Sequence, residues 1–319
     1  MNWTGRPLLD NDTDAELFTD RETDREQVDA AIRQGLNVAV IGPSGSGTTS
    51  LVRQLQRQWR RVGLHCVFVD GRAAGSAAGV VRAAASGLGL TGVGLDPTDD
   101  LRTGVDRLRS APHRPVVVLD GLPEPVQTHQ LFGRLRDELW TTPLRWVVTA
   151  RDDERAALLL PPADAFFERV VSLPELSVDA ARLLLKTRAA GADELPGALL
   201  DQVVAASGSR QPRALLDTAR TALARPELVG SLAAMRAELR TRLEEVGGRP
   251  AVELAAELQQ LGGASASDRR LLDRLGWTRP HATRMLRKLE DARLVTSSVL
   301  ASGTGGRPRK IYAVADPVL

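Results

Sequence analysis

The 319-residue sequence is poor in several residue types: one cysteine, one tyrosine, three methionines, three lysines and four histidines. A single thiol, Cys66, excludes an internal disulfide framework and leaves too few sulfur ligands for a thiolate metal site. His65, His113, His129 and His281 are too scattered to supply a zinc site in its place. So little cysteine suits a reducing cytoplasm. Long apolar runs are also missing. Val116–Leu119 and Leu158–Leu160 are among the longest, far below the roughly 20 residues needed to cross a bilayer. No apolar stretch follows Arg6 near the start of the chain, so no secretory signal is expected. These absences leave a cytoplasmic protein with no membrane partner as the expectation.

The chain is long enough for two or three domains with cores of their own. Its formal net charge of +2 conceals an asymmetry. Residues 264–319 carry 11 Arg and Lys against 5 Asp and Glu, a net of +6, which leaves −4 for the remainder. Basic charge gathered in one terminal segment points to a polyanionic partner for that segment.

Residues 1–15 are polar and unpatterned and read as a flexible or docked arm. Helical spacing begins within Phe18–Ile32. Short solid apolar runs follow at Asn37–Ile41, Cys66–Asp70, Val116–Asp120, Arg145–Thr149 and Arg169–Leu173, with helical segments between them, one of these being Val126–Trp140. Strands of that kind, alternating with helices, predict a parallel sheet covered on both faces. After Pro174 the pattern turns helical to about Glu245, and Gly247–Pro250 reads as a linker. The predicted class is α/β: a nucleotide-binding domain over residues 16–174, a helical lid over 175–246 and a small domain over 250–319.

The first apolar run leads directly into Gly42-Pro43-Ser44-Gly45-Ser46-Gly47-Thr48-Thr49-Ser50 and then into a helical pattern. This fits G-x-x-x-x-G-K-[ST] everywhere except the lysine, which is Thr48. Gly45 and Gly47 allow main-chain N–H groups to turn inward around phosphate oxygens, and the helix start adds its dipole. Thr49 stands where a hydroxyl reaches Mg²⁺, and Asp120, at the end of a β-branched run, is the second candidate Mg²⁺ anchor. The expected ligands are ATP or ADP with Mg²⁺, bound through Gly42, Gly45, Ser46, Gly47, Thr48, Thr49 and Ser50. Without the lysine, a charge-assisted bond to the phosphates is lost and hydrolysis is expected to be slow or absent.

With these motifs in this order, residues 16–319 resemble the AAA+/STAND group, and within it the origin-recognition initiator ATPases of archaea. The resemblance implies roles for further residues. Phe18-Thr19-Asp20-Arg21-Glu22 is similar to a box that lies near the adenine, giving Arg21 a binding role. Such ATPases place a glutamate after the Asp120 position; here that residue is Gly121, and Glu124 is the nearest acid. Thr149-Ala150-Arg151 resembles the sensor 1 region, with Arg151 reading the γ-phosphate. Gly208–Arg213 resembles the lid motif that carries sensor 2, which the resemblance assigns to Arg213, with Arg210 the alternate. Arg134, Arg136 and Arg145 stand where an arginine finger would be sought.

The basic C-terminal segment reads as two short helices, Ser265–Leu275 and Arg279–Ala292, and a hairpin with a Gly/Arg-rich tip at Ser302–Pro308. A further helix is expected within Ala251–Leu261, which completes the pattern of a winged helix. Arg279, His281, Thr283, Arg284, Arg287 and Lys288 would face the major groove of double-stranded DNA, and Arg307, Arg309 and Lys310 its phosphates or minor groove. The two competing functions are a working DNA-dependent ATPase and a protein-binding scaffold with a vestigial loop. A homo-oligomer or another protein partner is compatible with each.

Overall fold

The computed structural model describes residues 3–90, 101–190, 197–300 and 309–315. Compactness divides the chain into two units, Met1–Pro196 with Ser209–Ala219 and Gly197–Gly208 with Arg220–Leu319.

The first unit is built on five parallel strands: β1 (Val38–Gly42), β2 (Cys66–Asp70), β3 (Val116–Asp120), β4 (Arg145–Arg151) and β5 (Arg169–Ser172), in the order β2-β3-β4-β1-β5. The strands are apolar on both sides because both faces are covered. Val38, Val40, Val116 and Val118 pack against Val28, Ile32, Leu51, Leu55 and Trp59 from helices Glu22–Arg33 and Thr48–Arg61. Ala39, Ile41, Val117 and Leu119 face a second core that holds Val80, Leu131, Phe132 and Trp146. With β1 flanked by β4 and β5, the loop after Gly42 opens at the carboxyl end of the sheet, and Thr49 of the helix that follows it reaches Asp120 at the end of β3. Such an edge is where open parallel sheets bind ligands.

The helix expected over Val126–Trp140 is interrupted. Pro125–His129 and Arg136–Trp140 are helical, and Gln130–Arg134 forms a wider turn between them. The widened turn allows consecutive Leu131 and Phe132 both to be fully buried. It also presses Gly133 against His129, where a Cβ would lie 2.8 Å from the ring. Residues 3–15 lie docked: the Leu8 N–H donates to Ser50 Oγ at 3.1 Å, Arg60 donates to Asp10 at 2.6 Å, and Trp3 and Leu8 are buried.

In the second unit, helix Pro226–Leu261 runs through the expected linker with a kink at Gly248, whose φ of 66° and ψ of −165° suit glycine. Pro250 follows two residues later, where a restarting helix tolerates a missing N–H. Helices Arg269–Leu275 and Arg279–Asp291 and the antiparallel strands β6 (Val295–Leu300) and β7 (Arg309–Val314) share one core through Leu254, Leu271, Leu286, Leu289, Val295 and Tyr312. Among the described residues, no helix is long and apolar enough to cross a membrane.

Cys66, at the start of β2, is buried, and burial pushes its thiol up to about 12. Since the thiolate is the reactive form, the folded protein should not react with a soluble disulfide reagent at pH 8, and should react with one equivalent in denaturant. Equal rates in the two conditions would refute this placement of the thiol.

Candidate nucleotide site and basic surface

Helix Thr48–Arg61 starts at the glycine loop. Gly47, at its N-cap, lies in the left-handed region at a φ of 95° and, being glycine, has no side chain to cap with. The first N–H groups of the helix are therefore directed at the loop's concave side, with the positive end of the helix dipole behind them. Gly45 is also left-handed, at φ 86°, and a Cβ there would lie 2.9 Å from Arg213 Cβ. At Gly42 a Cβ would come within 2.6 Å of Ser46 Oγ, a buried hydroxyl that has no hydrogen-bond partner. A side chain at Gly42 or Gly45 would therefore collide with Ser46 or Arg213.

Across the loop, Asp120 Oδ1 accepts from Thr49 Oγ1 at 3.0 Å and from Thr149 Oγ1 at 2.7 Å. Thr149 Oγ1 in turn accepts from the Gly121 N–H at 2.8 Å. A hydroxyl from the first turn of the helix and a carboxylate from the end of β3, converging next to an anion cradle, form an oxygen donor set suited to Mg²⁺.

Two cavities flank the loop. One is lined by Thr48, Thr49, Asp70, Asp120, Arg151 and Glu154, among others. The other is lined by Gly45, Thr48 and Ser50 together with Arg6, Arg188 and Arg213. Residues 32–156, which contain the loop, β2, β3 and β4, match the model of the AAA domain family. That stretch is similar to an AAA domain.

Solved structures share the fold. The ORC1 protein of Aeropyrum pernix, solved in complex with DNA, aligns at 18% identity over 94% of this chain and 90% of its own, with a TM-score of 0.51. Cdc6p of Pyrobaculum aerophilum aligns at 15% identity over 93% of this chain and 90% of its own, with a TM-score of 0.52. No curated protein matches the sequence significantly.

Around the glycine loop, the sequence-predicted arginines take different positions. Arg213 sits directly on the glycine loop, its N–H donating to Gly45 O at 3.3 Å, and its side chain is exposed. Arg210 is instead spent on Leu176 O at 2.7 Å and Glu175 at 3.2 Å. Arg21 is buried and braces the loop from behind, donating to Ser46 O at 3.3 Å, Pro174 O at 2.8 Å and Asp24 at 3.2 Å. Arg151 reaches the acid-side cavity, where Glu154 at 3.0 Å and Asp153 at 3.3 Å hold its guanidinium. Glu124 is exposed ahead of Pro125 and does not line that cavity. The acids there besides Asp120 are Asp70 and Glu154, which no motif signalled.

In the second unit, Ala282, Leu286 and Leu289 are the buried stripe of helix Arg279–Asp291, and Arg279, Arg284, Arg287 and Lys288 are exposed. Thr283 hydrogen-bonds Arg279 O at 2.9 Å, and His281 meets the Trp277 ring edge to face at 4.4 Å. Lys310 is committed to Glu290, at 2.7 Å, tying β7 to this helix. Arg309 opens β7, and Arg307 lies outside the described residues.

Proposed function

We propose that the chain is a nucleotide-responsive DNA-binding protein of the cytoplasm. ATP or ADP with Mg²⁺ binds the glycine loop, a helical lid over residues 175–246 senses it, and a C-terminal winged helix engages double-stranded DNA. The open glycine cradle with Thr49 and Asp120 beside it is the observation that carries the reading. Hydrolysis is slow because Thr48 brings no charge to the phosphates and Gly121 brings no carboxylate to a water. The exposed basic face of helix Arg279–Asp291, beside an antiparallel hairpin, supports the DNA-binding part.

The test is a melting curve with Mg-ADP and Mg-ATP, paired with a duplex titration at two salt concentrations. Nucleotide at 100 times its Kd should stabilise the fold by about 2.7 kcal/mol. Duplex binding should weaken steeply with salt, and phosphate release should stay near background. An unmoved melting temperature, together with salt-insensitive or absent DNA binding, would instead identify a protein-binding scaffold. Rapid DNA-stimulated phosphate release would identify a working ATPase.

A further inference from the structure

The cavity on the acid side of the loop carries more negative than positive charge. Among the described residues, its lining holds three carboxylates, Asp70, Asp120 and Glu154, against two guanidinium groups, Arg72 and Arg151. Asp70 Oδ1 accepts the Arg72 and Ala73 N–H groups, at 3.0 Å each, and so caps the short helix Gly71–Ala74. Arg72 lies over Gly121, where an added Cβ would come 3.3 Å from its Nε. Glu154 stands between the two arginines. Its Oε2 accepts the Arg151 N–H at 2.8 Å. Its Oε1 pairs with the Arg151 guanidinium at 3.0 Å and with that of Arg72 at 3.6 Å. Asp153 brings a second carboxylate to Arg151, at 3.3 Å. Both cations that line this cavity are therefore paired with acids of the chain itself.

We propose that Glu154 sets the choice between nucleotides: its carboxylate occupies the arginine pair that a third phosphate would need, so the site takes ADP in preference to ATP. This rests on the reading that the loop binds a nucleoside di- or triphosphate with Mg²⁺. The metal anchors Thr49 and Asp120 line this cavity, and the cation of a nucleoside triphosphate bridges its last two phosphates. The third phosphate therefore belongs on this side of the loop. A diphosphate held in the glycine cradle asks nothing of Arg72 or Arg151. A third phosphate meets the Glu154 carboxylate and has to displace it from both guanidinium groups. A like charge placed against one of two competing ligands is a direct means of discrimination. The side chains of Arg72 and Arg151 are 60% and 44% exposed, so their pairs with Glu154 are weak enough to exchange. The cost is a preference and not an exclusion of ATP.

The experiment is a titration of the full chain with a fluorescent ADP analogue in Mg²⁺, displaced by ADP or by a non-hydrolysable ATP analogue, on wild type, Glu154→Gln and Arg72→Gln. Wild type should hold ADP about tenfold more tightly than the ATP analogue. Glu154→Gln keeps an acceptor for the Arg151 N–H and removes the charge. It should tighten the ATP analogue about fivefold or more and leave ADP within about twofold of wild type. Arg72→Gln removes a phosphate partner and leaves Glu154 in place, so the ATP analogue should weaken further while ADP holds. Equal wild-type affinities for the two nucleotides would overturn the assignment. So would an ATP affinity that stays or falls in Glu154→Gln, since Glu154 would then position Arg151 for the phosphate instead of competing with it. Parallel loss of both nucleotides in either variant would reduce the pair to a structural role. Should Glu154→Gln fail to fold, the wild-type ratio and Arg72→Gln still decide. If wild type binds neither nucleotide, the nucleotide reading falls and this inference with it; binding without preference removes only this inference.

Discussion

Replacing Asp120 with alanine should make nucleotide binding indifferent to Mg²⁺. In the wild type, Oδ1 of Asp120 is the shared acceptor of Thr49 and Thr149, so the carboxylate fixes both hydroxyls beside the phosphate cradle. Alanine removes the negative charge that a hard divalent cation requires and releases Thr49 from its orientation. Loss of an interaction with a charged partner is worth about 1.5–3 kcal/mol, or roughly ten- to a hundredfold in Kd measured with Mg²⁺ present. The Kd measured in EDTA should hardly change. Asp120→Asn is the more discriminating variant, because its amide oxygen can still accept from both threonines while the charge is gone. It should show the same insensitivity to Mg²⁺ with a smaller fall in melting temperature. If either variant retains the wild-type ratio of affinities with and without Mg²⁺, Asp120 is not a metal anchor and its role is to join the ends of β3 and β4.

The second large effect is expected at the basic helix. Arg279, Arg284, Arg287 and Lys288 are exposed opposite the buried stripe of Ala282, Leu286 and Leu289. Changing all four to glutamine removes charge without touching the core, so the melting temperature should stay within a few degrees. Each phosphate contact contributes about 0.9 to the slope of log K against log salt, so removing four should flatten that slope by roughly 3–4. Affinity for a 20-base-pair duplex at low salt should drop by about two orders of magnitude or more, as expected when a large part of the electrostatic term is lost. Lys310→Gln is a useful contrast, since that ammonium already pairs with Glu290; it should change the slope far less. A quadruple variant that keeps the wild-type salt slope would move any DNA contact to another surface.

What the sequence revealed depended on how local each signal was. β3 was legible because Val116–Leu119 is a continuous apolar run that ends in an acid, and the glycine loop because its spacing is set by the backbone turn itself. The order β2-β3-β4-β1-β5 left no trace in periodicity, since β1 to β4 are near-continuous buried runs that look alike and only the edge strand β5 is largely exposed. Side chains that reach the two cavities from distant segments carried no local mark either. Glu154 follows β4 on a single helical turn, Arg72 lies inside the short helix that Asp70 caps, and Arg188 sits in an ordinary amphipathic pattern. Glu124 was the nearest acid in sequence, but the chain between Pro123 and Pro125 leaves it in solvent. Arg210 and Arg213 are three residues apart; the motif favoured Arg213 with Arg210 as the alternate, and the helix start at Pro212 brings Arg213 to Gly45.

The phosphate-side cavity has one wall that takes no part in the sheet. Gly5, Arg6 and Pro7 form it, and the arm they belong to is fastened to helix Thr48–Arg61 by hydrogen bonds and ion pairs at Leu8, Asp10 and Asp12 and by the buried side chains of Trp3 and Leu8. Terminal arms held by surface ion pairs and a few buried side chains open at less than the cost of global unfolding. A trapped ligand can therefore escape by fraying of this seam while all five strands stay paired, and amide exchange at Leu8 and Leu9 would report how often the seam parts.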